Sequence, residues 1–313
     1  MKVGITCGGI GPYASGDFIR RSAQAAERAG FTAYLLPDHV VQFAEYPESQ
    51  YPYADGAGQD LPDLSDDTPL RYDTEHPLSD RRTPLIDPVL GMSWAAAATT
   101  NIEIGSTSLI LPQRNPLVLA KELATLDSFC GGRVLLGIGV GWAKEEFVAT
   151  GADFSRRGKI ADEAIQAMRA LWLDEASSFS GEFVRFQEAF CFPKPARPGG
   201  VPIVIAGESP AALRRVARLG DGWIPYRLPV AEAPRVIAEL KAMTRSHGRD
   251  PEKLRIIMIV HSVAKLDDLK RYRDAGVTEF NLGSVGQLPL DAAGIEAMMA
   301  DFHDKIVEPA SRL

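Results

Sequence analysis

Two adjacent side chains, Asp38 and His39, are the residues best suited to move a proton. They follow an apolar run that ends at Pro37. Histidine changes its charge near neutral pH, and a carboxylate beside it can bind a ligand or share a proton. The pair therefore predicts an acid–base site. A structural histidine whose ring bonds a neighbouring carbonyl group is the alternative, and the dipeptide alone does not decide between the two.

A run of alternating glycines, RVLLGIGVGW (133–142), predicts a strand end that a flat ring can approach. Gly137, Gly139 and Gly141 carry no side chain, and Trp142 follows where it can line the edge of such a site. The spacing differs from the GxGxxG of a dinucleotide-binding turn, and the run lacks the GK[ST] of a phosphate-binding loop. Tight packing between strands is the alternative explanation.

The segment AGESP (206–210) has the pattern of a strand end that leads into a helix. Ser209 is suited to cap this helix, and Pro210 is suited to its first position. The unpaired N–H groups and the positive end of the helix dipole predict a site for a phosphate-sized anion. Glu208 is an unfavourable neighbour for an anion, so we expect its carboxylate to point away or to bond its own helix cap.

A basic segment, SRRGK (155–159), offers positive charge for such an anion. Arg156, Arg157 and Lys159 are its cations, and a solvated basic turn is the alternative. The segment stands out because the chain has 41 acidic and 34 basic residues, a formal net charge of −7. That sign disfavours general binding to nucleic acid or to anionic membranes, so we expect neither partner.

Composition limits other kinds of site. The three cysteines, at positions 7, 130 and 191, are too few and too widely spaced for a disulfide framework or a CxxC pair. The histidines lack the spacing of a metal site, so we expect no bound metal. We find no signal-peptide core and no apolar run of about 20 residues, the length that a membrane helix needs. We therefore expect a reduced, cytoplasmic protein without a membrane segment.

Eight short aliphatic and β-branched runs alternate with helical patterns along the 313 residues. This order is typical of βα units around a parallel sheet, and eight strands favour closure. We predict an α/β fold, a (β/α)8 TIM barrel in which residues 1–313 form a single domain. Residues just after each strand would then converge on one mouth, where the segments above would meet. The predicted strands are 2–7, 32–36, 102–111, 134–140, 202–206, 221–225, 254–260 and 277–282.

Two insertions explain why the chain is longer than the roughly 250 residues of a typical barrel. The first, 41–84, follows strand 2, is rich in Asp, Pro and Tyr, and shows no sustained period. We interpret it as a lid or binding loop at the catalytic rim, with a mobile acidic flap as the alternative. The second, 177–200, precedes strand 5 and combines a small hairpin around Gly181 with a proline-rich linker. We expect it to cap an end.

Further segments extend the motifs above along most of the chain. They are LPDHV (36–40), LPQRNPLVLAKELATLD (111–127), GGRVLLGIGVGW (131–142), EFVATGADFSRRG (146–158) with DE at 162–163, and VPIVIAGESP (201–210) through DGW (221–223). In this order they resemble the luciferase-like monooxygenase superfamily of flavin- and deazaflavin-dependent oxidoreductases. This sequence departs from that family by having Glu208 where GlyGly is commoner, at the turn that binds the phosphate tail.

The resemblance implies a flavin or deazaflavin at the strand ends, with its ring near strands two to four and its phosphate tail near the 207–209 turn. Asp38 and His39 would face the ring as catalytic residues. The backbone under the ring, at Ser108 and Leu109, would be bulged and can include a cis peptide bond. The residues implied to bind the cofactor are Ser108, Leu109, Gly139, Val140, Gly141, Trp142, Arg157, Ala206, Gly207, Glu208 and Ser209.

The sequence most resembles the members of this superfamily that use the deazaflavin coenzyme F420. That likeness implies hydride transfer to or from a small organic substrate bound over the ring, with His39 as proton donor or acceptor. An FMN-dependent monooxygenase that activates O2 is one alternative, and a non-catalytic flavin-binding barrel is another. The resemblance also implies a homodimer.

Overall fold

Eight parallel strands close into a barrel, which confirms the predicted α/β fold. The computed structural model of the chain describes residues 1–49, 82–226, 228–261, 264–283 and 288–313. Each predicted run contains one barrel strand, and the third run also contains the two-residue β4. The strands are β1 (Lys2–Thr6), β2 (Ala33–Leu36), β3 (Glu103–Ser106), β4 (Leu109–Ile110), β5 (Val134–Gly139), β6 (Ser177–Ser180), β7 (Arg185–Ala189), β8 (Ile203–Ala206), β9 (Gly222–Ile224), β10 (Arg255–Val260) and β11 (Glu279–Leu282).

The barrel closes because β3 pairs with β5 as well as with β2. From that seam the order runs β5, β8, β9, β10, β11, β1 and β2. Apolar side chains from different strands fill the interior, among them Leu35, Leu135, Val204, Ile224 and Ile257. The centre is therefore a packed core and not a channel, and a binding site must lie at an end of the barrel.

Ion pairs close the end of the barrel at which the strands begin. Arg255, the first residue of β10, donates to Glu279 at 2.6 and 2.7 Å and to Glu103 at 2.7 Å. Arg197 donates to Glu103 at 3.0 Å. These charges compensate one another between the starts of three strands. The opposite end, where the strands finish, is the one that carries the predicted site residues.

Helices cover the outside of the barrel and begin at the capping signals of the sequence. They are α1 (Gly16–Arg28), α2 (Pro88–Ala98), α3 (Pro116–Phe129), α4 (Lys144–Thr150), α5 (Arg157–Leu173), α6 (Pro210–Leu219), α7 (Ala233–Ser246), α8 (Leu266–Ala275), α9 (Ala292–Phe302) and α10 (Glu308–Ser311). As predicted, Ser209 caps α6, because its Oγ accepts the N–H of Ala212 at 3.1 Å. Among the described helices, none is both long and apolar enough to cross a membrane.

The described residues of both predicted insertions lie outside the barrel sheet. The second contains the predicted hairpin, since β6 and β7 pair antiparallel. Glu163 of α5 accepts the N–H groups of residues 182–184, so the turn of the hairpin lies against that outer helix. Of the first insertion, 41–84, residues 50–81 lie outside the described residues. That residues 1–313 form a single domain stays a prediction.

Candidate functional site at the carboxyl ends of the strands

The rim of the barrel is distorted between β3 and β4. The Thr107–Ser108 peptide bond is cis, which confirms the expectation drawn from the family resemblance. Gly137 and Gly139 of β5 make room for this bulge. A Cβ atom at Gly137 would stand 2.0 Å from the Ser106 carbonyl oxygen, and one at Gly139 would stand 3.0 Å from Ser108 Oγ. Close packing between strands therefore accounts for these two glycines.

The end of β5 continues the rim through Val140, Gly141 and Trp142, and this rim fits a flat ring. Gly141 has φ of +75°, and a Cβ there would stand 2.7 Å from the Phe147 ring. Val140 and Trp142 are half-buried. At the bulge, Thr107 Oγ1 is buried and has no hydrogen-bond partner in the described parts of the chain. A flat group with a polar edge, seated on the rim, would supply one.

Asp38 has a different environment from the one expected of a residue that faces the ring. Its side chain is buried, with 5% of the residue exposed. Oδ2 accepts the Ile110 N–H and Oδ1 accepts an N–H of Arg114, each at 2.8 Å. Burial raises the pKa of Asp38, although the Arg114 charge and the Ile110 bond oppose that rise. Oδ2 thus holds β4 beside the bulge, and Oδ1 holds the Arg114 side chain.

Arg114 links this carboxylate to the return of the first insertion. Its second Nη donates to Asp87 Oδ2 at 2.8 Å. The other oxygen of Asp87 accepts the N–H groups of Val89 and Leu90 and so caps α2. The guanidinium therefore ties together the end of β2 and the start of α2, and two carboxylates compensate its charge.

His39 lies at the rim and is bonded to a carboxylate that the sequence analysis missed. Its Nδ1 is 3.0 Å from Oε1 of Glu146, which is fully buried in α4. The second oxygen of Glu146 accepts Nε2 of Gln113 at 3.3 Å. Glu146 and His39 are 107 positions apart in sequence. Because no local sequence pattern connects them, the sequence did not indicate that Glu146 pairs with His39.

Aromatic side chains border His39. Its ring meets Trp142 edge-on at a centroid distance of 6.0 Å, and Trp142 contacts Tyr46 at 5.3 Å. Tyr46 also contacts Phe43 at 6.0 Å, so the first residues of the insertion reach the rim. The aromatic rings give this side of the mouth an apolar wall.

The described start of the insertion is docked on the first turn of α4. The Lys144 N–H donates to Ser49 Oγ at 2.6 Å, and the Glu48 N–H donates to Glu145 Oε1 at 2.9 Å. Lys144 also forms an ion pair with Glu48. The helix that carries the partner of His39 therefore also holds residues 48–49 at the rim.

A cavity of about 240 Å³ opens beside His39. Gln113 lines it, and Gln113 Oε1 is buried without a hydrogen-bond partner among the residues described. The lining thus combines polar and charged side chains with the apolar side chains of Val40 and Leu85. The cavity is lined by His39, Val40, Leu85, Asp87, Gln113 and Arg114.

The 206–209 turn leads from β8 into α6, as the sequence predicts. Ala206 ends β8, and Gly207 has φ of +107°, a left-handed conformation that favours glycine. The Glu208 carboxylate accepts the Tyr226 N–H, so it is directed to the segment after β9, as expected of a group that must point away from an anion. Ser209 and Pro210 then begin α6, whose positive end fits an anionic tail.

The structure separates the basic residues of the SRRGK segment. Arg156 pairs with Glu182 and lies over the Phe183 ring at 4.4 Å, so it belongs to the hairpin contact. Arg157 donates to the Phe154 carbonyl oxygen at 2.8 Å. Burial and the nearby Arg215 of α6 lower the pKa of Arg157. An anion would relieve this crowding of positive charge, which keeps Arg157 a candidate for the tail.

Within the described ranges, no group of three or more His, Cys, Asp or Glu side chains has the arrangement of a metal site. The groups that do fit a ligand are the rim at 107–109 and 139–142, the turn at 206–209, and the His39 cavity. Together they suit a molecule with a flat ring and an anionic tail, next to a small second ligand.

Comparison with known sequences places this chain in one protein family. The profile of the luciferase-like monooxygenase family matches residues 68–305. An uncharacterized protein of Mycobacterium tuberculosis is 30% identical over 281 residues, covering 89% of this chain and 91% of that protein. An F420-dependent glucose-6-phosphate dehydrogenase of Intrasporangium calvum is 38% identical over 144 residues, 42% of each chain.

Two solved structures share the fold over nearly the whole chain. An F420-dependent secondary alcohol dehydrogenase, in complex with an F420–acetone adduct, has a TM-score of 0.74 at 18% identity and covers 99% of this chain and 98% of that one. Monooxygenase RslO1 from Streptomyces bottropensis has a TM-score of 0.70 at 19% identity, with 98% and 99% covered. At these identities the likeness concerns the fold.

Proposed function

Because this chain belongs to the luciferase-like monooxygenase family, a family of oxidoreductases, we propose that it uses coenzyme F420 to transfer hydride to or from a small organic substrate. The observation that carries this proposal is the His39–Glu146 pair at the mouth of the barrel. Hydride transfer at a carbon that bears oxygen must be matched by a proton, and this pair can move one. The F420-dependent relative and structural neighbour support the choice of cofactor.

The cofactor would lie across the rim. When bound, it supplies a ring carbon that gives or takes hydride, while the protein supplies orientation and electrostatics. In this proposal Ser108, Leu109 and residues 139–142 hold the ring. The helix start after 206–209, with Ser209 as its cap and Arg157 as a source of positive charge, holds the tail. Because the Glu208 carboxylate accepts the Tyr226 N–H, it does not compete with the tail for the N–H groups of that helix start.

His39 would be the acid–base group, and its neighbours would position it. In this proposal Nδ1 donates to Glu146 Oε1, and Nε2 is the ring nitrogen that exchanges a proton with the substrate. Asp38 does not share in the proton transfer of this proposal, because Ile110 and Arg114 occupy its carboxylate. Its role is to hold β4, and with it the bulge under the ring.

The fold is shared with monooxygenase RslO1, so a monooxygenase is the alternative to test. An oxygen-uptake experiment distinguishes it from hydride transfer. The purified protein is mixed under anaerobic conditions with reduced F420 or with FMNH2, and air-saturated buffer is then added. We expect no oxygen consumption above the protein-free rate with either cofactor. Rapid, protein-dependent uptake with FMNH2 alone would refute the F420 proposal and favour the monooxygenase.

A further inference from the structure

We propose that Ser49 is a positioning residue, whose hydroxyl group caps α4 and thereby holds Glu146 in place beside His39. This inference rests on the proposed function and concerns the control of its acid–base pair. It starts from the segment 39–49, which is bonded to the first turn of α4 at both of its ends. At one end, His39 Nδ1 is 3.0 Å from Glu146 Oε1. At the other end, the Lys144 N–H donates to Ser49 Oγ at 2.6 Å.

The start of α4 has no cap of its own. The residue before the helix is Ala143, whose side chain cannot accept a hydrogen bond, and the helix has only 7 residues. The first N–H groups of a helix have no partner within it, and serine is one of the residues preferred for satisfying them. Here the serine hydroxyl group comes from a residue 95 positions away in sequence. The cap of α4 therefore depends on the segment that begins at His39.

The backbone of α4 holds its own first turn weakly. The N–H groups of Glu146 and Phe147 are 3.2 and 3.4 Å from the carbonyl oxygen of Ala143, longer than the usual distance of about 2.9–3.0 Å. The Ser49 hydroxyl group, in contrast, accepts the first N–H of the helix at 2.6 Å and donates to the carboxylate of Glu145. Loss of this hydroxyl group should therefore loosen the turn that carries Glu146.

The rest of α4 stays anchored without this cap. Phe147 is fully buried, and its ring meets that of Phe154 edge-on at a centroid distance of 5.2 Å. Removal of the hydroxyl group should therefore loosen the first turn without unfolding the helix. Because Glu146 lies in that turn, its carboxylate would no longer be held at a fixed distance from His39.

NMR on the purified full-length protein tests this inference, because a histidine N–H that donates to a carboxylate gives a proton signal far downfield. Histidine and lysine are labelled with ¹⁵N, His39→Ala and Lys144→Arg identify the two signals, and exchange with water is measured for the His39 Nδ1–H and the Lys144 N–H. Ser49→Ala should speed both exchange rates about fivefold, the effect of losing one helix cap. Ser49→Thr keeps the hydroxyl group and should restore both rates. Ser246→Ala, which removes an exposed hydroxyl group at the end of α7, is the matched control and should change neither.

The two rates distinguish a positioning role from a contact that only attaches the segment to the helix. Faster exchange of the Lys144 N–H with an unchanged His39 signal in Ser49→Ala would mean that the cap does not act on the acid–base pair, and would overturn the inference. Two unchanged rates, equal changes in Ser246→Ala, or no downfield His39 signal in the wild type would overturn it as well. Because the measurement needs no cofactor, failure of the wild type to bind F420 would overturn the proposed function, and with it the role of this contact in catalysis, whatever the NMR result.

Discussion

The fully buried Glu146 beside His39 gives the first prediction at the scale of single residues. Glu146→Gln should lower kcat by about 100-fold, because the amide no longer holds the imidazole in the tautomer and orientation that acid–base catalysis needs. The Kd for F420 should stay the same. Steady-state kinetics over a range of pH measure the first quantity and fluorescence titration the second. His39→Ala should lose at least as much activity.

The control for this prediction is Glu175→Gln, a surface change of the same kind. A positioning role also predicts that the ¹⁵N NMR signals of His39 report a changed tautomer in Glu146→Gln. Wild-type kcat in both Glu146→Gln and His39→Ala would contradict acid–base catalysis by this pair. If the wild type and both variants show only background activity, the non-catalytic flavin-binding barrel is favoured.

The buried Asp38–Arg114 pair gives a prediction on pH and stability. Burial raises the pKa of Asp38, and Arg114 opposes that rise. Arg114→Met leaves an uncompensated buried carboxylate, which costs about 3 kcal/mol of unfolding free energy at neutral pH. The raised pKa means that this loss should shrink as pH falls, because the carboxyl group takes a proton in the folded state before it does so in the unfolded state. Urea unfolding at several pH values measures it, and a loss that grows as pH falls would contradict this account.

At the scale of elements, the bulge between β3 and β4 depends on β5. A Cβ at Gly137 would stand 2.0 Å from a backbone oxygen, which cannot move without shifting β3. Gly137→Ala should therefore lower the unfolding free energy by about 3 kcal/mol. Gly199→Ala is the control, because nothing lies within 4 Å of its Cβ and only its φ of +90° is unfavourable, at a cost of about 1–2 kcal/mol. Equal losses in chemical denaturation would show that β5 does not constrain the bulge in this way.

The elements themselves were predictable from the sequence because strands buried on both faces are continuously apolar and each helix carries one apolar stripe. Ser209 followed by Pro210 gave the start of α6 correctly. The site was less predictable. The partner of His39 comes from another element, and the carboxylate of Asp38 is turned toward Ile110 and Arg114 by tertiary contacts. The cis bond before Ser108 followed only from family resemblance, since no local residue pattern requires it.

At the scale of the whole molecule, ion pairs at the end of the barrel where the strands begin join strands that are far apart in sequence. Burial acts to raise the pKa of Glu103, but hydrogen bonds and charges from Arg255 and Arg197 hold it below its usual 4.5. The stabilisation is therefore complete above about pH 4.5 and is lost as pH falls through the lower folded value.

Glu103→Gln tests this network. The difference in unfolding free energy between wild type and variant should be largest near neutral pH and should decrease below pH 4.5, the ordinary value for this group. Guanidinium titrations from pH 3 to pH 8 measure it. Glu296→Gln, which removes one partner of the exposed pair with Arg28, is the control and should show a small difference at every pH. A Glu103→Gln effect that does not vary with pH would exclude this origin of acid sensitivity.

Exposed apolar side chains on two outer helices predict an interface between two chains. Leu90, Trp94 and Val118 on α2 and α3 are 72%, 56% and 54% exposed, an unusual amount of apolar surface on two helices. We propose a homodimer whose interface buries these side chains. Light scattering on the wild type should give the mass of two chains, and Leu90→Lys should give the mass of one. Lys241→Glu, away from α2 and α3 on α7, is the charge-change control. A monomeric wild type would contradict the prediction.

We propose that a deazaflavin with an anionic tail binds across the rim between residues 107–109 and the start of α6. Fluorescence titration of the purified protein with F420, and in parallel with FMN, tests it most directly. We expect saturable one-to-one binding of F420 with a Kd in the micromolar range or below, and much weaker binding of FMN. Tight FMN binding without F420 binding, or no binding of either at micromolar concentrations, would contradict the claim.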